Sequence, residues 1–460
     1  MTEARIAIVG GGIAGLAAAY ELARRQADFI LLEASQRFGG VIVSEESDGF
    51  LLEGGPDSLL TAKPEAVALC RELGLGERLV PTNPDKRAVF VLRGGSLHPL
   101  PEGVLGFPTR LLPFLRSGLF SWQGKLRMGL DLVLPRGESK DDESIAAFVR
   151  RRCGREAVER LADPLLAGIH AGDAERLSMA CNFPRLLQLS RAKGSLIRGL
   201  LGSKPAAGGG AAPPPFLSLR RGLQELVEAL TQALPPASLR RLSRVVSLRR
   251  ESDAFVLELD GQPPERVGGV ILALPAHSAA GLLAPTLPDA ARPLASIPFA
   301  DTATVLLGFR HRDVEHPLNG YGLVVPRGER LRTTACSFFS TKFPGRAPEG
   351  HVLLRGFLGG VLDPGILGLT DQALVSTVIE EMRPVLGIRG DPVLERVYRW
   401  PSGTPQMEVG HDRIVIEVEA RLAECPRLQV TGAGFRGTGI PDAIADARRV
   451  ASTAWEALRA

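Results

Sequence analysis

The chain has 460 residues, 45% of them apolar and 23% charged, a globular composition on a length that exceeds one ordinary core. A formal net charge of +4 is too small to argue for a nucleic-acid surface, although a local basic patch could still attract an anionic substrate or lipid. Five cysteines (Cys70, Cys153, Cys181, Cys336 and Cys425) stand far apart, and the seven histidines form no HExxH-type pair, so neither a disulfide framework nor a metal site is expected.

The N-terminus runs almost directly into a strand, which predicts no leader, and no run of about 18 uncharged apolar residues predicts a membrane span. A cytoplasmic chain with reduced thiols fits best. Residues 6–9, Ile-Ala-Ile-Val, form a short apolar run bounded by glycine, as expected of a strand buried on both faces of a parallel sheet. A glycine turn at 10–15, a helix over 13–25 and a second strand over 29–32 complete a βαβ unit. From 103 to 136 apolar clusters alternate with the cations Arg110, Arg116, Lys125, Arg127 and Arg136, against only Asp131. Such a stretch reads either as core-facing helix with solvated cations or as a surface for at most peripheral membrane contact. Residues 144–201 are helical in pattern, and 202–215, rich in Gly, Ala and Pro, read as a flexible loop. A helix over 223–234 precedes a hairpin, 244–248 with 254–259, and a buried strand at 270–274. Short strands are expected between 302 and 361. The following helix should start at Asp371 with Thr370 as N-cap and end by Met382, before Pro384. A strand at 428–431 leads through Gly432-Ala433-Gly434 into a helix over 440–458.

These elements predict an α/β multidomain chain whose Rossmann-type sheet is assembled from separated segments, including the strands near 244–274. The expected division is a nucleotide-binding domain from 1–85, 216–285 and 401–460, a helical domain over 95–215, and a mixed-sheet substrate domain from 86–94 and 286–400.

Gly10, Gly12 and Gly15 supply G-x-G-x-x-G between a strand and a helix, with Gly11, Ile13 and Ala14 between them. The first glycine permits the tight turn, the second lets backbone approach a pyrophosphate, and the third lets helix and strand pack closely. Glu33, at the end of the next strand, can accept hydrogen bonds from ribose hydroxyls. The continuation Ala34-Ser35-Gln36-Arg37-Phe38-Gly39-Gly40 resembles the amine oxidase and phytoene desaturase group, in which the arginine and glycine pair lie along the FAD diphosphate. Gly55-Pro56-Asp57-Ser58 is similar to that group's loop past the flavin, and Gly439-Ile440-Pro441 to its C-terminal flavin motif. By the same resemblance Val245 and Trp400 belong to the cofactor site.

Four further segments narrow the resemblance: 163–173, 320–326, Trp400-Pro401 with Pro405-Gln406, and 437–442. They resemble the porphyrinogen oxidases of haem biosynthesis over nearly the whole chain. Stretches 106–120, 141–152 and 334–355 are similar to the class acting on coproporphyrinogen III, the alternative being protoporphyrinogen IX. The resemblance implies that Arg87 holds a propionate and that Tyr321, Gly322, Val324 and Phe357 clamp the macrocycle. Lys342 and Arg355 would suit a substrate with four propionates rather than two, or would merely sit on a solvated strand face. It further implies FAD, oxygen as acceptor with peroxide released, no residue assigned as general base, a ferrochelatase downstream, and a monomer or homodimer. An amine oxidase or carotenoid desaturase of the same fold remains a rival.

Overall fold

Unbroken apolar runs bounded by glycine fold here as strands with both faces covered. The protein is described by a computed structural model over residues 5–101, 103–104, 107–108, 111–134, 142–202 and 214–459. Its first sheet has five parallel strands in the order Leu239–Arg240, Phe29–Leu32, Ile6–Val9, Gly269–Ala273, Leu428–Thr431. Strand alternation divides Ile6–Val9 between two cores. Ile6 and Ile8 pack with the helices Ile13–Arg24, Gln224–Gln232 and Ile440–Arg459. Ala7 and Val9 face Ala276–Leu283, Pro288–Ala295 and His411–Leu422 on the other side. Alanines line the contact between the first and last helices (Ala18 and Ala19; Ala447, Ala451 and Ala454), so the backbones approach closely.

The hairpin expected near 244–259 forms, as Val245–Glu251 with Ala254–Leu259, but it does not join the parallel sheet. With Gln262–Val267 it makes a separate antiparallel sheet whose inner residues Leu248, Phe255 and Leu257 cover the second core. The parallel sheet takes only Leu239–Arg240 and Gly269–Ala273 from this region, because only these continue its register.

A second sheet has seven strands: Leu394–Pro405, Phe299–Arg310, His351–Gly359, Thr333–Phe338, Gly320–Val324, Ala88–Arg93 and Ser96–Pro99. Of the strands between 299 and 359, Gly320–Val324 and Thr333–Phe338 are as short as expected, while Phe299–Arg310 and His351–Gly359 are longer. Leu394–Pro405 runs straight across the boundary expected at 401, and Ser96–Pro99 stays with this sheet rather than with the helices. One face of the sheet, including Phe90, Leu323, Cys336 and Leu354, packs on the helix Asp371–Leu386. That helix has the expected cap, Thr370 Oγ1 accepting from Ala373 N at 3.2 Å. It continues through Pro384 instead of stopping at Met382, and ends at Gly387, which has φ +62°. Proline removes one helical bond and crowds the turn, at a cost of about 3 kcal/mol. The apolar stripe Leu374, Val378, Met382 and Leu386 runs past it, so burial of the last turn outweighs that loss.

The opposite face meets the helical block. Ile145–Cys153, Asp163–His170, Pro184–Lys193 and Leu196–Gly202 pack with Val91, Val324 and Ala335 of the sheet. Inside the block Arg152 and Asp131 form a buried pair at 2.5 Å, with side chains 2% and 0% exposed. Asp131 also accepts from Ser195 Oγ at 2.6 Å and Ile197 N at 2.8 Å. Most of the expected loop (203–213), together with Gly106, Arg110, Arg136 and Asp141, lies outside the described residues.

Candidate functional site

All strands of the parallel sheet end at one edge, so the turns after Val9, Leu32, Ala273 and Thr431 converge there, the usual place for a ligand in such a sheet. Gly10 adopts φ +104°, and a Cβ on it would meet the Ala273 carbonyl at 2.4 Å. A Cβ on Gly15 would fall 1.8 Å from the Gly10 carbonyl oxygen, so the helix could not enter the turn. Beside Gly12, among the described residues, only the Gly40 Cα lies within 4 Å of such a Cβ, which leaves backbone open to a ligand. The first helix has no side-chain cap at Gly12, although Ala14 and Gly15 are buried. Uncapped, buried N–H groups at a positive helix end require an acceptor, and a diphosphate supplies one.

Glu33 fixes the rim of this cradle. Its Oε2 accepts from Gly11 N and its Oε1 from Ser35 N, both at 2.7 Å. Ala34 lies between these two contacts. Gly39 N donates to Gly11 O at 2.8 Å, which brings the Gly39-Gly40 pair alongside the first turn. Arg37 spans the same segment, donating to Ile42 O at 2.9 Å and to Gly40 O. Ser243 N donates to the Glu33 carbonyl at 2.8 Å, and Val245, two residues on, packs against the second core. The C-terminal motif arrives from the other side. Ile440 and Pro441 open the last helix, buried against the first core, and Gly439 O accepts from Ala443 N. Lys63 binds Asp442 in that helix's first turn at 2.6 Å, a contact the sequence did not single out. The donor set of the first turn therefore fits a dinucleotide, and the start of the last helix follows the strand Leu428–Thr431 at the same sheet edge.

The segment Gly54–Ser58 links this cradle to the second sheet. Glu53, immediately before it, is fully buried. It accepts from Ser44 Oγ at 2.6 Å and from Leu223 N at 2.8 Å. Burial raises its carboxyl to about 7, against the opposing pull of those bonds and Arg346. Gly54 O accepts from Trp400 Nε1 at 3.1 Å, and Tyr398 stacks on Trp400 with centroids 6.4 Å apart. A Cβ on Gly55 would fall 1.8 Å from Val41 O. After Pro56, Asp57 receives Ser58 Oγ at 2.6 Å, Lys342 Nζ at 2.9 Å and Arg355 at 3.2 Å. Burial alone would raise the Asp57 carboxyl, but the two cations hold it well below the usual carboxylate range.

Register places the substrate candidates on one sheet face. One row crosses the strands as Val91, Val324, Ala335, Phe357, Thr304, Tyr398; the adjacent row runs Val89, Gly322, Ser337, Arg355, Leu306, Arg396. Small residues at Gly322, Ala335 and Ser337 keep the middle of this floor low. The helix Asp163–His170 lies over one side of it, with Gly168 against Ala335 and Val324. Tyr321 does not line the floor: its hydroxyl donates to Asn83 O at 3.2 Å, and Asn83 N in turn donates to Lys342 O. Arg87 stands at the same corner, just before Ala88, which is paired with Gly320. Its Nε donates to Pro84 O at 2.9 Å and the side chain is exposed. Lys342 and Arg355 are not free cations on a strand face; Arg355 is buried, Lys342 is largely covered, and both are committed to Asp57. At the far end of the floor a cleft of about 930 Å³ opens between Val91, Arg93, Val158, Arg160 and Arg327.

His170 ends the overlying helix, its ring edge-on to Phe183 at 6.1 Å. Burial first, and then Lys63, push its imidazole down to about 4. Nothing in segment 163–173 by itself gives this side chain a role, because only the fold brings Lys63 to it.

The family model for flavin containing amine oxidoreductases matches residues 13–454. A coproporphyrinogen III oxidase of Bacillus subtilis (strain 168) is 38% identical, with 98% of this chain and 97% of the relative covered. Protoporphyrinogen oxidase 1, chloroplastic, of Arabidopsis thaliana is 32% identical, with 94% and 82% covered. A crystal structure from Exiguobacterium sp. 255-15 superposes with a TM-score of 0.88 at 32% identity, covering 99% of this chain and 100% of that one. Cyclohexylamine oxidase from Brevibacterium oxydans IH-35A shares the fold, with a TM-score of 0.72 at 16% identity over both full chains.

Proposed function

The chain belongs to the flavin-containing amine oxidoreductase family, and from that premise we propose that it carries out the six-electron oxidation of coproporphyrinogen III to coproporphyrin III, with oxygen as acceptor and hydrogen peroxide released. It is an FAD-dependent oxidoreductase. Gly10 to Gly15, Glu33, Arg37, Gly39, Gly40 and the Gly439–Pro441 turn would hold the cofactor. Bound flavin supplies the acceptor for a hydride equivalent in each of three two-electron rounds.

The observation that carries the reading is the adjacency of the Gly54–Ser58 segment to a low floor of Gly322, Val324, Ala335, Ser337 and Phe357. A broad macrocycle fits such a floor, with Phe357 and Val324 as its apolar contacts. The overlying helix excludes water from one side. Arg87, exposed at the open corner with a guanidinium able to take a carboxylate bidentately, is the cation available to a substrate propionate. Lys342 and Arg355 contribute their field from beneath. The bacterial relatives at 38%, 36% and 33% identity are named for coproporphyrinogen III, which favours it over protoporphyrinogen IX. The plant relatives keep protoporphyrinogen IX as the second reading.

Peripheral membrane contact is the finer reading of residues 111–134. Among the described residues no helix is long and apolar enough to cross a membrane. Leu112, Trp122, Leu126 and Val133 along this segment are nonetheless 65 to 73% exposed, which suits adsorption to a bilayer surface. A ferrochelatase as receiver of the product, and a monomeric or dimeric state, belong to the same proposal.

The test is anaerobic. Adding coproporphyrinogen III to the yellow protein should bleach the flavin and yield red porphyrin fluorescence when oxygen is admitted. An unreduced flavin at saturating substrate would refute the proposal.

A further inference from the structure

We propose that Asp57 is a positioning residue whose carboxylate occupies Lys342 and Arg355 in place of a substrate propionate, so that these cations hold the flavin segment and leave one uncompensated positive charge beneath it. The inference rests on the flavin reading above and deepens it.

Three observations carry it. Lys342 Nζ reaches both Asp57 oxygens at 2.9 Å, and Arg355 reaches Asp57 Oδ2 at 3.2 Å while also donating to the Gly55 carbonyl. The side chains are 14%, 4% and 11% exposed for Lys342, Arg355 and Asp57, too closed for a carboxylate on a bulky macrocycle to displace Asp57. The aromatic surroundings are built for cations: Phe343 and Phe216 lie 5.2 and 5.5 Å from Lys342 Nζ, and Phe357 lies 4.7 Å from the Arg355 guanidinium. Arg355 Nε is buried without a hydrogen-bond partner among the described residues, so one carboxylate does not satisfy the pair.

Two cations and one carboxylate leave a charge of +1. In a buried setting that charge favours the negatively charged, reduced form of a neighbouring flavin. Arg346 and Glu53 lie within range as well; Arg346 is anchored on the Arg220 and Leu219 carbonyls, and the ladder is read at pH 5, where Glu53, raised to about 7, stays protonated and adds no charge of its own.

The experiment is a charge ladder read as flavin midpoint potential, with thermal melting as the control for folding. Lys342→Met takes the cluster to zero, Asp57→Asn takes it to +2, and the double variant returns it to +1. The expected order is Lys342→Met lowest, wild type and double variant together, Asp57→Asn highest. Each step should change the reduced-to-oxidised ratio at least tenfold, about 30 mV for a two-electron couple. Asp57→Glu keeps the charge and should stay with the wild type. In the same variants KM for coproporphyrinogen III should move less than threefold for Lys342→Met. A tenfold rise in KM with an unchanged potential would make Lys342 a direct propionate ligand and overturn the inference. Should Asp57→Asn fail to retain flavin, Lys342→Met and the double variant decide alone: a double variant that stays at the Lys342→Met potential refutes it. A colourless wild-type protein would instead sink the flavin reading itself.

Discussion

Replacing Glu53 by glutamine isolates a buried carboxyl from the rest of the site. The wild-type group has 0% exposed surface and a folded value near 7, against 4.5 for the free side chain. Burial is the main cause. Because the folded value lies above the unfolded one, folding takes up a proton between them. The group's contribution to stability is therefore complete below about 4.5 and is lost as pH rises through about 7. At about 1.4 kcal/mol per pH unit, the climb from 4.5 to about 7 amounts to roughly 3 kcal/mol. Glutamine keeps an acceptor for Leu223 N and a polar contact to Ser44 Oγ but cannot ionise. Chemical unfolding of both proteins from pH 5 to 8.5 should show Glu53→Gln gaining on the wild type by about 2.5 kcal/mol across that range, the remainder of the loss falling below pH 5. Parallel pH profiles, or a deficit of the variant that grows with pH, would refute the burial argument.

Gly15→Ala should leave a protein purified without flavin, seen as the loss of absorbance near 450 nm, because its Cβ would meet backbone at 1.8 Å. Arg152→Leu should lower unfolding stability by about 3–5 kcal/mol by stranding Asp131 as a buried charge, an effect largely reversed when Asp131→Asn is added. Arg87→Ala should raise KM for coproporphyrinogen III about tenfold, the loss of one charge-assisted carboxylate contact, with kcat and melting temperature nearly unchanged because the side chain is exposed.

The strands legible in the sequence were those buried on both faces. Residues 6–9 and 29–32 carry no polar interruption, 428–431 carries Gln429 and Thr431 between Leu428 and Val430, and each folds with the same bounds. Gln262–Val267 gave no such signal, since an edge strand with Pro263 and Pro264 needs neither alternation nor a full set of N–H donors. Leu394–Pro405 is likewise an edge strand, half-buried along most of its length, and its Trp400-Pro401 pair read as a motif rather than as part of a strand. Pro384 misled because local stereochemistry lost to the tertiary burial of Leu386. The cofactor turn was legible because its glycines and Glu33 lie within one short unit whose local geometry dictates their roles. Lys342 and Arg355 were recognised as cations, but their partner is nearly 300 residues away. No spacing rule could have shown that Asp57 already holds them. Tyr321 was expected on the macrocycle for want of the irregular pairing beside Gly320, which turns its hydroxyl to Asn83.

The central claim is the substrate, and its most direct test is kcat/KM for coproporphyrinogen III and protoporphyrinogen IX, followed by porphyrin fluorescence together with oxygen uptake. The account predicts faster turnover of coproporphyrinogen III, with three oxygen molecules consumed per porphyrin. A preference for protoporphyrinogen IX would contradict the assignment while leaving the flavin chemistry in place, and turnover of neither substrate would overturn the porphyrinogen reading altogether.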